Sequence, residues 1–128
     1  MTTRPAVRLL WMAGFLIGTT THVIDLAVGG LGVYAGFPAA VQVFWISLTL
    51  LDPLMVLLLA LGRRAAIPLG VAIMVADVAV NVSVAIAYEL PFEPPYPVLL
   101  QCAFGLFVVF TAPSLWKRFG LRTRTVSP

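Results

Sequence analysis

The sequence predicts an all-α integral membrane protein built as a bundle of four transmembrane helices. Three observations predict it. The chain is 61% hydrophobic and only 10% charged, with a mean hydropathy of +1.04, whereas soluble domains carry about 25% charged residues. Its apolar residues gather into four runs, each near the roughly 20 residues that cross a bilayer. All eight basic residues fall beside those runs and none inside them. A water-soluble fold of 128 residues could not hide this much apolar surface, because small domains bury only about two-thirds of what the unfolded chain exposes.

The first helix is expected over about 9–33, in the run LLWMAGFLIGTTTHVIDLAVGGLGV. A basic start followed by an apolar stretch has the outline of a signal peptide. No A-x-A cleavage site follows, and His22 and Asp25 interrupt the run, so a retained helix is expected. Gly36 and Pro38 mark a turn. The second helix is expected over 41–62, stopped by Arg63 and Arg64, and the third over 67–88. The segment ELPFEPPYP, 89–97, carries four prolines and cannot continue a helix. The fourth helix is expected over 98–116, followed by a basic tail, 117–128. The whole is one transmembrane domain. Backbone groups in hydrocarbon must bond internally, and runs of this length fit helices, since barrel strands are about half as long and alternate in polarity.

Charge sets the expected orientation. Arg4 and Arg8 precede the first helix, Arg63 and Arg64 separate the second from the third, and Lys117, Arg118, Arg122 and Arg124 follow the fourth. With four spans these regions share one side, which the positive-inside rule makes cytoplasmic. Both termini are then cytoplasmic, Glu89 and Glu93 face outward, and the protein belongs to the cell's inner (plasma) membrane. Trp11 and Trp116 fall near the cytoplasmic interface, and Tyr34, Tyr88 and Tyr96 near the outer one, as an aromatic belt requires. The net charge of +3 and pI near 9.6 therefore report topology, and no nucleic-acid partner is expected. The single cysteine, Cys102, excludes an intrachain disulfide.

Three aspartates, Asp25, Asp52 and Asp77, lie inside the spans. An acid at a helix centre costs about 2.5–3.5 kcal/mol on insertion scales, so each is either functional or hydrogen-bonded glue between helices. His22 and Asp25 are three residues apart and Asp77 and Asn81 four apart, so each pair shares a helix face. With Gln101 these polar groups occupy the central-to-outer zone of the spans, which suggests a pocket opening outward. His22, with an ordinary pKa of about 6.5, suits a proton shuttle that Asp25 would orient. His22, Asp25, Asp52 and Asp77 are the candidate catalytic residues; Trp45, Thr49, Asn81 and Gln101 are the candidate ligand-binding ones. Gly18, His22, Asp25, Gly29 and Gly32 form a stripe whose glycines permit close helix approach. Pro53 removes the donor that would bond the Thr49 carbonyl, beside Asp52. One histidine with carboxylates is a thin zinc ligand set, so neither metal nor cofactor is expected.

The pieces HVIDL, LDPLMVLLL and DVAVN resemble those of a set of small, functionally uncharacterised bacterial four-helix membrane proteins, over nearly the whole chain. More remotely, the layout resembles the EXPERA group, which includes sterol isomerases and the sigma-2 receptor. That resemblance implies an intramembrane pocket for sterol-like ligands, with Asp25 and Asp52 as pocket acids and Asp77 and Asn81 as polar groups of the third helix. The chain departs from the group in its very short first loop, and in carrying Gln101 where the isomerases use an asparagine and a tryptophan.

The expected function is binding of a hydrophobic small molecule or lipid in an acid-lined intramembrane pocket, with isomerase-like proton transfer as the accompanying chemistry. One alternative is a small proton-coupled exporter, which would act as a homodimer. Another is a non-catalytic accessory subunit whose polar groups bond a partner's helices.

Overall fold

The computed structural model describes residues 4–92 and 97–124. Glu93, Pro94 and Tyr96, assigned above to the outer loop and interface, lie outside the described residues, as do the side chains of Arg4, Arg122 and Arg124. The described chain is helical throughout its long elements: α1 (Arg4–Gly29), a 3-10 turn (Gly30–Gly32), α2 (Ala39–Ala60), α3 (Ala66–Ala87) and α4 (Val98–Arg124). All four α-helices are long and apolar enough to cross a membrane. Their outer faces remain apolar in the folded chain, with Val28 85% and Phe110 79% exposed. Water would not tolerate such surfaces over this extent; lipid would.

The helix ends differ from expectation in two places. α1 starts at Arg4 and gives way to the 3-10 turn at Gly30. Gly30 takes φ +65°, a left-handed backbone that glycine adopts without a Cβ clash. α4 does not stop near Trp116 but continues to Arg124, so the first part of the basic tail is helix. Nothing in KRFGLRTR forbids this, because a single glycine costs a helix only about 1 kcal/mol, and Pro113 is accommodated inside α4.

The chain divides after Gly62 into two compact units, each a helical hairpin. In hairpin one, Arg8 near the start of α1 reaches the end of α2. Its Nε donates to the Leu59 carbonyl at 2.8 Å and its Nη2 to the Ala60 carbonyl at 2.6 Å. The last carbonyls of a helix have no intrahelical partner, and a cation there also meets the negative end of the helix dipole. At the other end, Tyr34 and Phe37 of the turn pack edge-on against Trp45 of α2, with ring centroids 5.0 and 4.9 Å away. These contacts make α1 and α2 antiparallel. Trp11, Phe15, Leu48, Met55 and Leu59 are fully buried.

Hairpin two is antiparallel for similar reasons. Arg64, before α3, stacks on Trp116 near the end of α4, with Cζ 3.7 Å from the ring centroid. Midway, Gly105 faces α3, where an added Cβ would lie 3.1 Å from Val78 Cγ2. α3 closes in a Schellman motif: the Leu90 N–H donates to the Ala85 carbonyl at 2.8 Å and the Glu89 N–H to the Ile86 carbonyl at 3.3 Å. The left-handed position falls on Glu89, at φ +54°, where glycine is the usual occupant. α2 closes in a related way, with Gly62 at φ +65° donating to the Leu59 carbonyl.

Candidate functional site

Each hairpin carries its own polar network. In hairpin one, His22 and Asp25 lie one turn apart on α1, and Tyr34 folds back from the turn to join them. The Tyr34 hydroxyl donates to Asp25 Oδ2 at 2.8 Å and lies 3.3 Å from His22 Nδ1. A phenol has one proton to donate. With that proton directed at Asp25, the Tyr34 oxygen is left to accept from the imidazole, an arrangement that calls for the tautomer with hydrogen on Nδ1. The other ring nitrogen, Nε2, is then the acceptor of a neutral His22. Tyr34 is buried and held by Trp45 and Phe37. Burial first, then the hydrogen bond and the charge of Asp25, raise the Tyr34 pKa above its ordinary value, because a phenolate beside a carboxylate would be doubly penalised.

Asp52 sits on α2 and is the one buried charged side chain among the described residues. Its carboxylate lies on the backbone of Gly18 in α1: a Cβ added at Gly18 would overlap Oδ2 and come within 3.3 Å of Cγ. Glycine at 18 is therefore what lets the acid occupy the helix interface. One turn earlier, the Thr49 hydroxyl oxygen is buried with no hydrogen-bond partner. Pro53, inside α2, has no N–H to offer the Thr49 carbonyl. Trp45, four residues before Thr49 on α2, packs with the aromatic residues of the turn.

In hairpin two, the Asn81 amide bridges the helices. Its Nδ2 donates to Asp77 Oδ1 at 2.7 Å, within α3, and to Gln101 Oε1 at 2.9 Å, on α4. The two hydrogens of one NH₂ group are sufficient for both bonds. Asp77, Asn81 and Gln101 are all half-buried.

The residues singled out in the sequence are thus brought together in two groups: His22 with Asp25, and Asp77 with Asn81 and Gln101. Asp52 pairs with a glycine of its own hairpin. Among the described residues no three His, Cys, Asp or Glu side chains are grouped to hold a metal ion. Sequence reasoning missed Tyr34, which it treated as an interface anchor. The available signal was the pair Gly29–Gly30 between Asp25 and Tyr34, which ends the helix and lets the chain return toward it. Comparison with protein-family models, curated proteins and solved structures found no match.

Proposed function

We propose that this chain is a multi-pass membrane protein that binds a hydrophobic small molecule or lipid at the turn end of its helices and exchanges a proton with it through His22. The observation that carries this reading is the run of contacts from His22 Nδ1 to the Tyr34 hydroxyl and from that hydroxyl to Asp25, which favours hydrogen on Nδ1. Such a run holds one imidazole tautomer and leaves Nε2 as a base. When Nε2 takes a proton from a bound molecule, the imidazolium that forms is stabilised through Tyr34 by the Asp25 carboxylate, in the way an orienting acid supports a general base. The return of that proton to another atom of the ligand would complete an isomerisation, with no cofactor in the balance. Four helices long and apolar enough to cross a membrane support a ligand drawn from lipid, and membrane-embedded ionisable groups are functional by default because they are costly to insert. The EXPERA resemblance points to the same class of ligand.

The test uses the full chain purified in mild detergent, with native mass spectrometry of copurifying hydrophobic molecules. The parent should retain a discrete molecule, and His22→Gln and Tyr34→Phe should lose it or stop turning it over while remaining folded at the temperature of the experiment. Parent and variants that carry the same unselective mixture of bilayer lipids would refute the reading.

A further inference from the structure

The geometry points to a second site, independent of the His22 network: the cavity at the basic end of hairpin two binds the phosphate of an anionic phospholipid. The cavity measures about 340 Å³ and is lined by Arg64, Lys117, Gly120 and Leu121, within the size range of ligand sites, about 300–1,000 Å³. Lys117, Gly120 and Leu121 lie at i, i+3 and i+4 on α4 and so share a helix face. Arg64 closes the other side.

Arg64 is fixed there by two features of α4. Its guanidinium stacks on Trp116, 3.7 Å from the ring centroid, and one turn on it lies against Gly120, where a Cβ would fall 2.9 Å from Cζ. Stacking uses the face of the guanidinium and leaves its in-plane N–H edge for an acceptor. A bidentate arginine edge with a lysine beside it is a suitable receptor for a phosphate. Among the described residues of the hairpin the acids are Asp77 in mid-span and Glu89 just past the far end of α3. The cavity coincides with the end of the α4 span at Leu121. That is headgroup level, where a phosphate meets the cations while the acyl chains run along the exposed apolar face that includes Leu121, 61% exposed. Basic pockets beside transmembrane helices recognise anionic headgroups in this way.

The experiment takes the full chain into nanodiscs of phosphatidylcholine with a minor fraction of phosphatidylglycerol and counts the lipids that stay bound on release into a native mass spectrometer. Phosphatidylglycerol should be enriched over its share of the bilayer. Arg64→Gln and Lys117→Gln should each lower that enrichment about fivefold, the effect of one cation near an anionic membrane surface. Arg63→Gln removes the same charge next to the site without lining it and should change little. Lys117→Glu, at an exposed position, should abolish the preference without altering the melt. Absence of enrichment in the parent, or an equal loss for Arg63→Gln, would overturn the proposal, the latter by reducing it to general surface potential. Displacement of the lipid by millimolar inorganic phosphate would also overturn it, by assigning the cavity to a soluble anion.

Discussion

The two hairpins solve the same problem, polar side chains in an apolar helix pair, with different chemistry. Hairpin one joins titratable groups, His22, Tyr34 and Asp25, at the end of one helix and its following turn. Hairpin two joins an acid to two amides, Asp77, Asn81 and Gln101, between the second half of α3 and the start of α4. Asn81 and Gln101 cannot gain or lose a proton near neutral pH, so the link between α3 and α4 is a bond between amides. The first has the elements of a proton path. The basic ends differ as well. Arg8 turns its guanidinium edge to the carbonyls that end α2, whereas Arg64 lies over the Trp116 ring. Position in a bilayer decides the residue type, but geometry decides whether it closes the structure or remains able to act.

The largest effect expected in breaking this comparison is at the Gly18–Asp52 contact. Gly18→Val should destabilise hairpin one by about 1–3 kcal/mol, the usual range for overpacking, read as a lower denaturation midpoint in mixed detergent. In an Asp52→Ala background the same change should cost much less, because the carboxylate it strikes is gone; full additivity of the two substitutions would contradict the contact. Next comes the Asn81 bridge. Asn81→Leu removes both bonds of the bridge and should cost about 1–2 kcal/mol, as interhelical hydrogen bonds do in membranes, and Gln101→Leu should cost less because the Asp77 bond survives.

Tyr34→Phe removes both contacts of the hydroxyl, with Asp25 and with His22, and should cost about 1–2 kcal/mol; it also sharpens the comparison through pH. The folded chain raises the Tyr34 pKa, so the folded state keeps its phenol proton at a pH where the unfolded chain has released it. The associated stability is present below the ordinary tyrosine pKa of about 10 and falls as pH rises above it. Alkaline melting curves should therefore fall more steeply for the parent than for Tyr34→Phe; parallel curves would remove Tyr34 from the network. The smallest effect is at the helix ends. Glu89 takes the left-handed position that Gly62 takes at the end of α2, so Glu89→Gly should raise stability by up to about 1 kcal/mol, while Gly62→Ala should lower it.

Much of this was legible before the structure. Hydrocarbon leaves the backbone only its own partners, so apolar run length dictated four helices, and i, i+4 spacing placed Asp77 with Asn81. Gln101 was recognised as polar at a similar depth, but nothing local in the sequence sets the register of α4 against α3 that brings it to Asn81. Tyr34 was not legible, because its role depends on the path of the chain after Gly30 rather than on periodicity. Asp52 was legible as an expensive acid, yet its placement against Gly18 depends on how α1 and α2 face each other. The continuation of α4 to Arg124 was hidden because a basic run marks the end of a span, not the end of a helix.

The most direct test of the central claim is the tautomer of His22, the only histidine in the chain. Nitrogen-15 NMR of the labelled full chain in nanodiscs reports each ring nitrogen separately. The account predicts hydrogen on Nδ1 in the parent at neutral pH, with Nε2 as the unprotonated nitrogen, and a loss of that preference in Tyr34→Phe. A parent His22 with a bare Nδ1 and hydrogen on Nε2, unchanged by Tyr34→Phe, would contradict it.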